Sequence, residues 1–268
     1  MWTATLKEFF MSGIPLMRHF FSATALYLGL MCHVNAGEAV RYSVDGSPYE
    51  GWYEPAAAAV DSSAARGLIL ILHDWDGLTD YEIRRAGMLA DEGFDVFAAD
   101  LFGAGIRPTE NRDKRQHTGE LYKDREKMRR LMRAALEAAA QQGADASAAV
   151  AMGYCFGGAA VLELARSGID LQGFASFHGG LSTPDGQGYT NTKGMVLVYH
   201  GSADTAITLQ DFASLGELLE TAGVPHEMTS YGGAPHAFTV FDSSRYDQRA
   251  DTQSWVSFHA FLDEALPR

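Results

Sequence analysis

The chain alternates short apolar runs with longer amphipathic stretches. Gly67–His73 (GLILILH), Phe94–Ala99, Ser147–Gly153 (SAAVAMG), Gly173–His178 and Met195–His200 (MVLVYH) are almost continuously apolar. Runs without polar alternation suit strands buried on both faces, as in a parallel sheet. Between them, Tyr81–Glu92, Ala159–Arg166, Leu209–Ala222 and Asp247–Leu266 read as helices, with Gly93 and Gly168 placed to stop two of them. Leu121, Met128, Met132, Ala135 and Ala139 fall on one face of a long helix. The basic run Arg125 to Arg133 then reads as its solvated face. His226–Tyr231 is strand-like. Val40–Val44 and Gly51–Tyr53 flank a Gly46-Ser47-Pro48 turn and predict an antiparallel edge, and Ala56–Ala59 reads as loop. Strands alternating with helices predict an α/β fold, with a mostly parallel central sheet and helices on both faces.

The first 36 residues break this pattern. Met17-Arg18-His19 is a short basic start, Phe20 to Met31 is an uncharged apolar run, and Val34-Asn35-Ala36 places small residues before a cleavage point. These are the three parts of a secretory signal peptide. The apolar run is too short for the roughly 20 residues that span a bilayer. Residues 1–36 are therefore read as a cleaved signal, with Met17 a possible start, and residues 37–268 as a single domain exported to a periplasm or beyond the cell. Cys32 is read as part of the signal. Gly29 and Met31 flank it where a lipid-anchor motif wants a large aliphatic and a small residue. No membrane association is expected after cleavage, and a monomer is the simplest expectation.

Composition narrows the function. The 268 residues are 47% hydrophobic and 21% charged, ordinary for a globular chain. Thirty-four acids against 21 bases give a formal charge of −13, which repels nucleic acid and anionic lipid alike. Two cysteines, Cys32 and Cys155, supply neither a disulfide framework nor a thiolate zinc site. After signal removal Cys155 is alone. A lone thiol in an oxidising compartment is a liability, so it is either deeply buried or kept for its reactivity.

Chemistry concentrates at Val150 to Gly158 (VAMGYCFGG), where a small-residue strand runs into Gly153-Tyr154-Cys155-Phe156-Gly157 and then a helix. A strand-to-helix turn of this kind lifts a nucleophile above the sheet edge and sets it at a helix N-terminus. Met195–His200 leads to Asp204, and a turn-rich loop ahead of the last helix carries His236. The order Cys155, Asp204, His236 is nucleophile, acid, base. His236 would take the thiol proton and Asp204 would orient the imidazole. The backbone N–H groups of Phe156 and Trp75 would hold the oxyanion.

These segments resemble the dienelactone hydrolase family of the α/β-hydrolase superfamily over about Val40 to Leu266. The likeness rests on GYCFGG around Cys155, HGSAD ending at Asp204, GAPHAF around His236, HDWDGL at 73–78 and Ala99-Asp100-Leu101-Phe102. It implies an α/β-hydrolase fold, a Cys-Asp-His triad, no cofactor and hydrolysis of a small ester or lactone. Two positions depart from the family. Asp74 stands where members commonly carry a Glu that contacts the resting thiol, so it either gates the thiol or caps the loop. Arginines that hold a substrate carboxylate would fall at Gly103-Ala104-Gly105 and Thr239-Val240-Phe241, whereas Arg107 and Arg245 are displaced in sequence. A neutral ester or lactone is therefore expected. Segments 101–118 and 179–194 should wall the pocket, with His178 as a further lining residue. His73, His178 and His200 lack metal-ligand spacing and read as hydrogen-bonded structural histidines, with no metal expected. The rival reading is a thiol redox sensor or non-catalytic scaffold, in which Cys155 is oxidised or pairs with another chain.

Overall fold

The computed structural model describes residues 37–57 and 65–267. The expected signal, Cys32 and the end of the Ala56–Ala59 loop lie outside them. Eight strands form one sheet: β1 (Glu38–Val44), β2 (Ser47–Glu54), β3 (Leu68–Leu72), β4 (Asp95–Ala99), β5 (Ala149–Tyr154), β6 (Gly173–Phe177), β7 (Met195–Gly201) and β8 (His226–Tyr231). Their spatial order is β1-β2-β4-β3-β5-β6-β7-β8. The β1–β2 and β2–β4 pairings are antiparallel and the rest parallel. The first hairpin turns at Asp45-Gly46, one residue earlier than expected. Both residues have positive φ, 51° and 79°, which matches the twist of a two-residue hairpin.

Every residue of β3 is fully buried, which explains its unbroken apolar run. Alternate side chains serve opposite cores. Leu68, Leu70 and Leu72 pack with α3 (Arg125–Gln141), α4 (Phe156–Arg166) and α5 (Leu209–Ala222). Ile69 and Ile71 pack with α1 (Asp80–Ala90) and α6 (Gln248–Ala265). Helices thus cover both faces of a mostly parallel sheet, as the sequence pattern predicts. Among the described residues no helix is long and apolar enough to cross a membrane.

The long helix expected around 121–139 is two helices. Leu121 belongs to α2 (Asn111–Lys123), and α3 starts anew at Arg125. Between them Asp124 leaves helical geometry (φ −116°, ψ 78°), and its carboxylate accepts the Lys127 N–H at 2.8 Å, capping α3. The basic run is not simply a solvated face either. Arg129 donates to buried Glu163 of α4 at 2.7 Å, Arg166 to the same carboxylate at 2.8 Å, and Arg125 reaches it at 3.4 Å. An acid with no exposed surface needs such partners to stay ionised.

Candidate active site

The C-terminal ends of β5, β6 and β7 and the loop after β8 meet at one edge of the sheet. Cys155 follows β5 with φ 51° and ψ −110°, a strained conformation, and α4 begins at the next residue. Glycine is required on both sides. A Cβ on Gly153 would overlap the Gly157 backbone, and one on Gly157 would overlap Leu72 O. The turn therefore packs backbone against backbone and leaves the sulfur on a cavity floor.

Asp204 follows β7. Its Oδ1 accepts the N–H groups of Ala206 (2.8 Å) and Ile207 (3.0 Å), and its Oδ2 faces His236 Nδ1 at 2.7 Å. Burial opposes ionisation of Asp204, but the His236 hydrogen bond and the two backbone donors outweigh it and hold the carboxyl below its ordinary value. An ionised carboxylate only accepts, so Nδ1 of His236 carries the proton. Nε2 faces the other way and lies 3.2 Å from Cys155 Sγ. The three side chains expected from the sequence thus stand in one hydrogen-bonded line. Burial, with Asp74 nearby, pushes the thiol up to about 12, partly opposed by the Phe156 N–H directed at the sulfur. The S–H is thus placed to donate toward His236 Nε2.

Trp75 and Phe156 both line the cavity beside Cys155. The Trp75 loop is bent by two hydrogen bonds, Asp76 N–H to Asp74 Oδ1 (3.0 Å) and Asp74 N–H to Glu82 (3.3 Å). Trp75 N–H meets no acceptor among the described residues. Burial, with Asp76 and Glu82 adjacent, pushes Asp74 up to about 9. In Asp76, burial is outweighed by hydrogen bonds from Asp74 and Lys114, which hold it low. Asp74 is therefore a protonated carboxyl at neutral pH, both part of the loop's bracing and exposed to the cavity near the thiol.

The cavity holds about 600 Å³. Its walls are aromatic and aliphatic (Trp75, Tyr122, Phe156, Ile207, Val240), with Asn111, Lys114 and Thr118 of α2 on one side. From the expected wall segments, Asn111, Lys114, Thr118 and Gly180 do line it. Two expectations are corrected. His178 is fully buried beneath the Cys155 turn and does not line the cavity. Arg245 does line it, although its sequence position suggested displacement, because the loop from His236 folds back over the opening. No carboxylate lies within ion-pair distance of Arg245 among the described residues.

The other histidines separate. His73 bonds Asp74 O at 2.6 Å and accepts the Leu101 N–H at 3.1 Å, as a structural histidine would. His200 does not fit that expectation. It is buried and stacked on Phe212 (5.4 Å), and neither ring nitrogen has a partner among the described residues. Among the described residues no group of three or more His, Cys, Asp and Glu is arranged to hold a metal. Sequence reading took 101–118 as a loop wall and missed that α2 is a helix, because its polar sequence buries only Thr118 and Leu121, which leaves no apolar stripe. The usable signal was Asp124, a helix-capping residue inside the apparent long helix.

Residues 55–266 match the model of the dienelactone hydrolase family. Among solved structures, a dienelactone hydrolase-like promiscuous phosphotriesterase from metagenomic libraries is 29% identical. It has a TM-score of 0.79, with 86% of this chain and 98% of that chain covered. A protein from Klebsiella pneumoniae subsp. pneumoniae, solved as a candidate dienelactone hydrolase, is 19% identical with a TM-score of 0.73 and coverage of 86% and 100%. Esterase 2 of Thermogutta terrifontis, phosphorylated by paraoxon, is 18% identical with a TM-score of 0.62 and coverage of 87% and 96%. The last two show a shared fold. A search of curated proteins finds no match.

Proposed function

This chain belongs to the dienelactone hydrolase family and is an ester-bond hydrolase, and we propose that it cleaves a small ester or lactone through Cys155 by way of a thioester acyl-enzyme. The observation that carries this reading is the 3.2 Å approach of His236 Nε2 to Cys155 Sγ, with Asp204 fixing the tautomer from behind.

The steps follow from the geometry. As the sulfur attacks the ester carbonyl, its proton passes to His236 Nε2, and Asp204 stabilises the imidazolium. The carbonyl π electrons move to oxygen, and the Phe156 and Trp75 N–H groups receive that charge. The C–O bond breaks as His236 returns the proton to the leaving alcohol. Water then gives a proton to His236 and attacks the thioester. The acid leaves, and the sulfur recovers the proton.

The aligned Asp204 and His236 favour hydrolysis over sensing, since an oxidant sensor needs no oriented base. Export with loss of residues 1–36 rests on the three-part leader pattern. Recovery of the exported protein with Gly37 as its first residue is the expected result; retention of 1–36 overturns that part.

Arg245 refines the substrate. A guanidinium lining a largely apolar cavity, with no carboxylate partner among the described residues, favours an ester bearing a carboxylate or similar acceptor over a wholly neutral one. The test of the whole reading is intact-mass analysis with activated aryl esters. Wild type should gain and then lose one acyl group on Cys155, and Cys155→Ala should lose turnover while still unfolding cooperatively. Full turnover by Cys155→Ala would sink the assignment.

A further inference from the structure

His178 makes two hydrogen bonds that join the two halves of the site. It follows β6 at the same sheet edge, is fully buried and has φ 40°. Its Nδ1 accepts the Cys155 N–H at 3.2 Å. An accepting nitrogen carries no proton, so Nε2 bears it and donates to Thr239 Oγ1 at 2.8 Å. Thr239 lies three residues beyond His236 in the same loop.

Each end of this bridge is anchored. The Cys155 N–H is shared with Phe177 O at 3.0 Å, which secures the strained turn from a second side. Thr239 Oγ1 also meets Tyr81 OH at 2.7 Å, and Thr239 O accepts from Arg85 at 2.9 Å. Arg85 in turn pairs with Asp251 of α6. The His178 ring is wedged edge-on against His236 (5.4 Å) and Phe238 (5.3 Å), so it cannot swing without moving the base loop.

We propose that His178 is a strut between the Cys155 turn and the His236 loop, a positioning residue that sets the sulfur-to-imidazole distance needed for acylation. A buried apolar ring of the same size would fill the space but join neither side. The strut also stays uncharged: burial, with His236 adjacent, holds it well below its ordinary value. It therefore places no second positive charge beside His236 when that ring takes up the thiol proton. The inference rests on Cys155 as nucleophile.

The experiment compares wild type with His178→Leu, His178→Asn, Thr239→Val and the His178→Leu/Thr239→Val double variant. Acylation of Cys155 by p-nitrophenyl acetate is followed by stopped flow and intact mass, normalised to thiol that iodoacetamide alkylates in the folded protein. His178→Leu should acylate about 100-fold more slowly, the scale of a small misplacement of reacting groups. Its KM should stay within about threefold, since the strut touches no substrate. His178→Asn keeps an acceptor for the Cys155 N–H and should recover at least about 10-fold of that loss, while Thr239→Val should be slow. The double variant should be no slower than His178→Leu, because both changes cut one strut. Unchanged acylation per alkylatable thiol in His178→Leu, or independent multiplying effects, overturns the strut. Should His178→Leu fail to fold, wild-type rates in both His178→Asn and Thr239→Val overturn it equally. A wild type that forms no adduct on Cys155 removes the nucleophile, and the strut with it.

Discussion

Asp74 is a buried carboxyl that braces the Trp75 loop. Its Oδ1 accepts the Asp76 N–H at 3.0 Å, and its carboxyl is pushed up to about 9 by burial and by Asp76 and Glu82. In the unfolded chain it returns to near its ordinary 3.8. Between these values the folded state binds the extra proton, so stability falls as pH rises through that window. Asp74→Asn copies the protonated form and deletes the titration. Its stability advantage over wild type, from urea unfolding, should grow from pH 5 to pH 9. A constant difference across that range would mean that Asp74 is ionised at rest. The meeting of Cys155, Asp204 and His236 at one sheet edge was readable in advance because it follows from local pattern: a cysteine between glycines, an acid after a strand, a histidine in a turn-rich loop. His178 was misplaced because its role depends on what lies across from β6, and Thr239 is 61 residues away.

At the scale of elements, the joint between α3 and α4 illustrates a missed signal. The α4 sequence FGGAAVLELAR is apolar around a single acid, Glu163, which has no exposed surface. Such an acid demands cations, and the nearby basic run of α3 supplies them. Reading each helix by its own periodicity assigned that run to solvent. Arg166 continues the network to Gln187 at 2.9 Å and Tyr189 at 2.6 Å, which tie down the loop between β6 and β7. Glu163→Ala would leave Arg166 buried without its partner. The expected loss is about 3–5 kcal/mol of unfolding free energy, measured by denaturant titration. Replacing Glu163 and Arg166 together by apolar residues should lose less, since neither charge is stranded. The elements with continuous apolar runs, β3, β5, β6 and β7, were legible because burial on both faces leaves one pattern. Helix α2 was not, since it rests on the molecule by few apolar contacts.

For the whole molecule, a formal charge of −13 opposes the approach of any anion, yet the cavity carries Arg245 and Lys114. The two cations are not equivalent. Lys114 is already engaged, 3.3 Å from Asp76 and over the Trp75 ring at 5.2 Å, so it braces α2 against the Trp75 loop. Arg245 has no such partner among the described residues and also acts on the Cys155 thiol, favouring its anion. Fold topology explains why sequence position misled here. The loop after β8 crosses the ends of β5 and β7 before entering α6, so a residue nine positions past His236 returns to the cavity. Arg245→Gln should lower kcat/KM for a carboxylate-bearing aryl ester by about 10-fold, the worth of one charge-assisted hydrogen bond. For the matched neutral ester, kcat/KM should stay within about twofold, because the reacting groups are untouched. Equal losses on both esters would instead make Arg245 a brace for the His236 loop, and the neutral substrate suggested by the sequence would regain its standing.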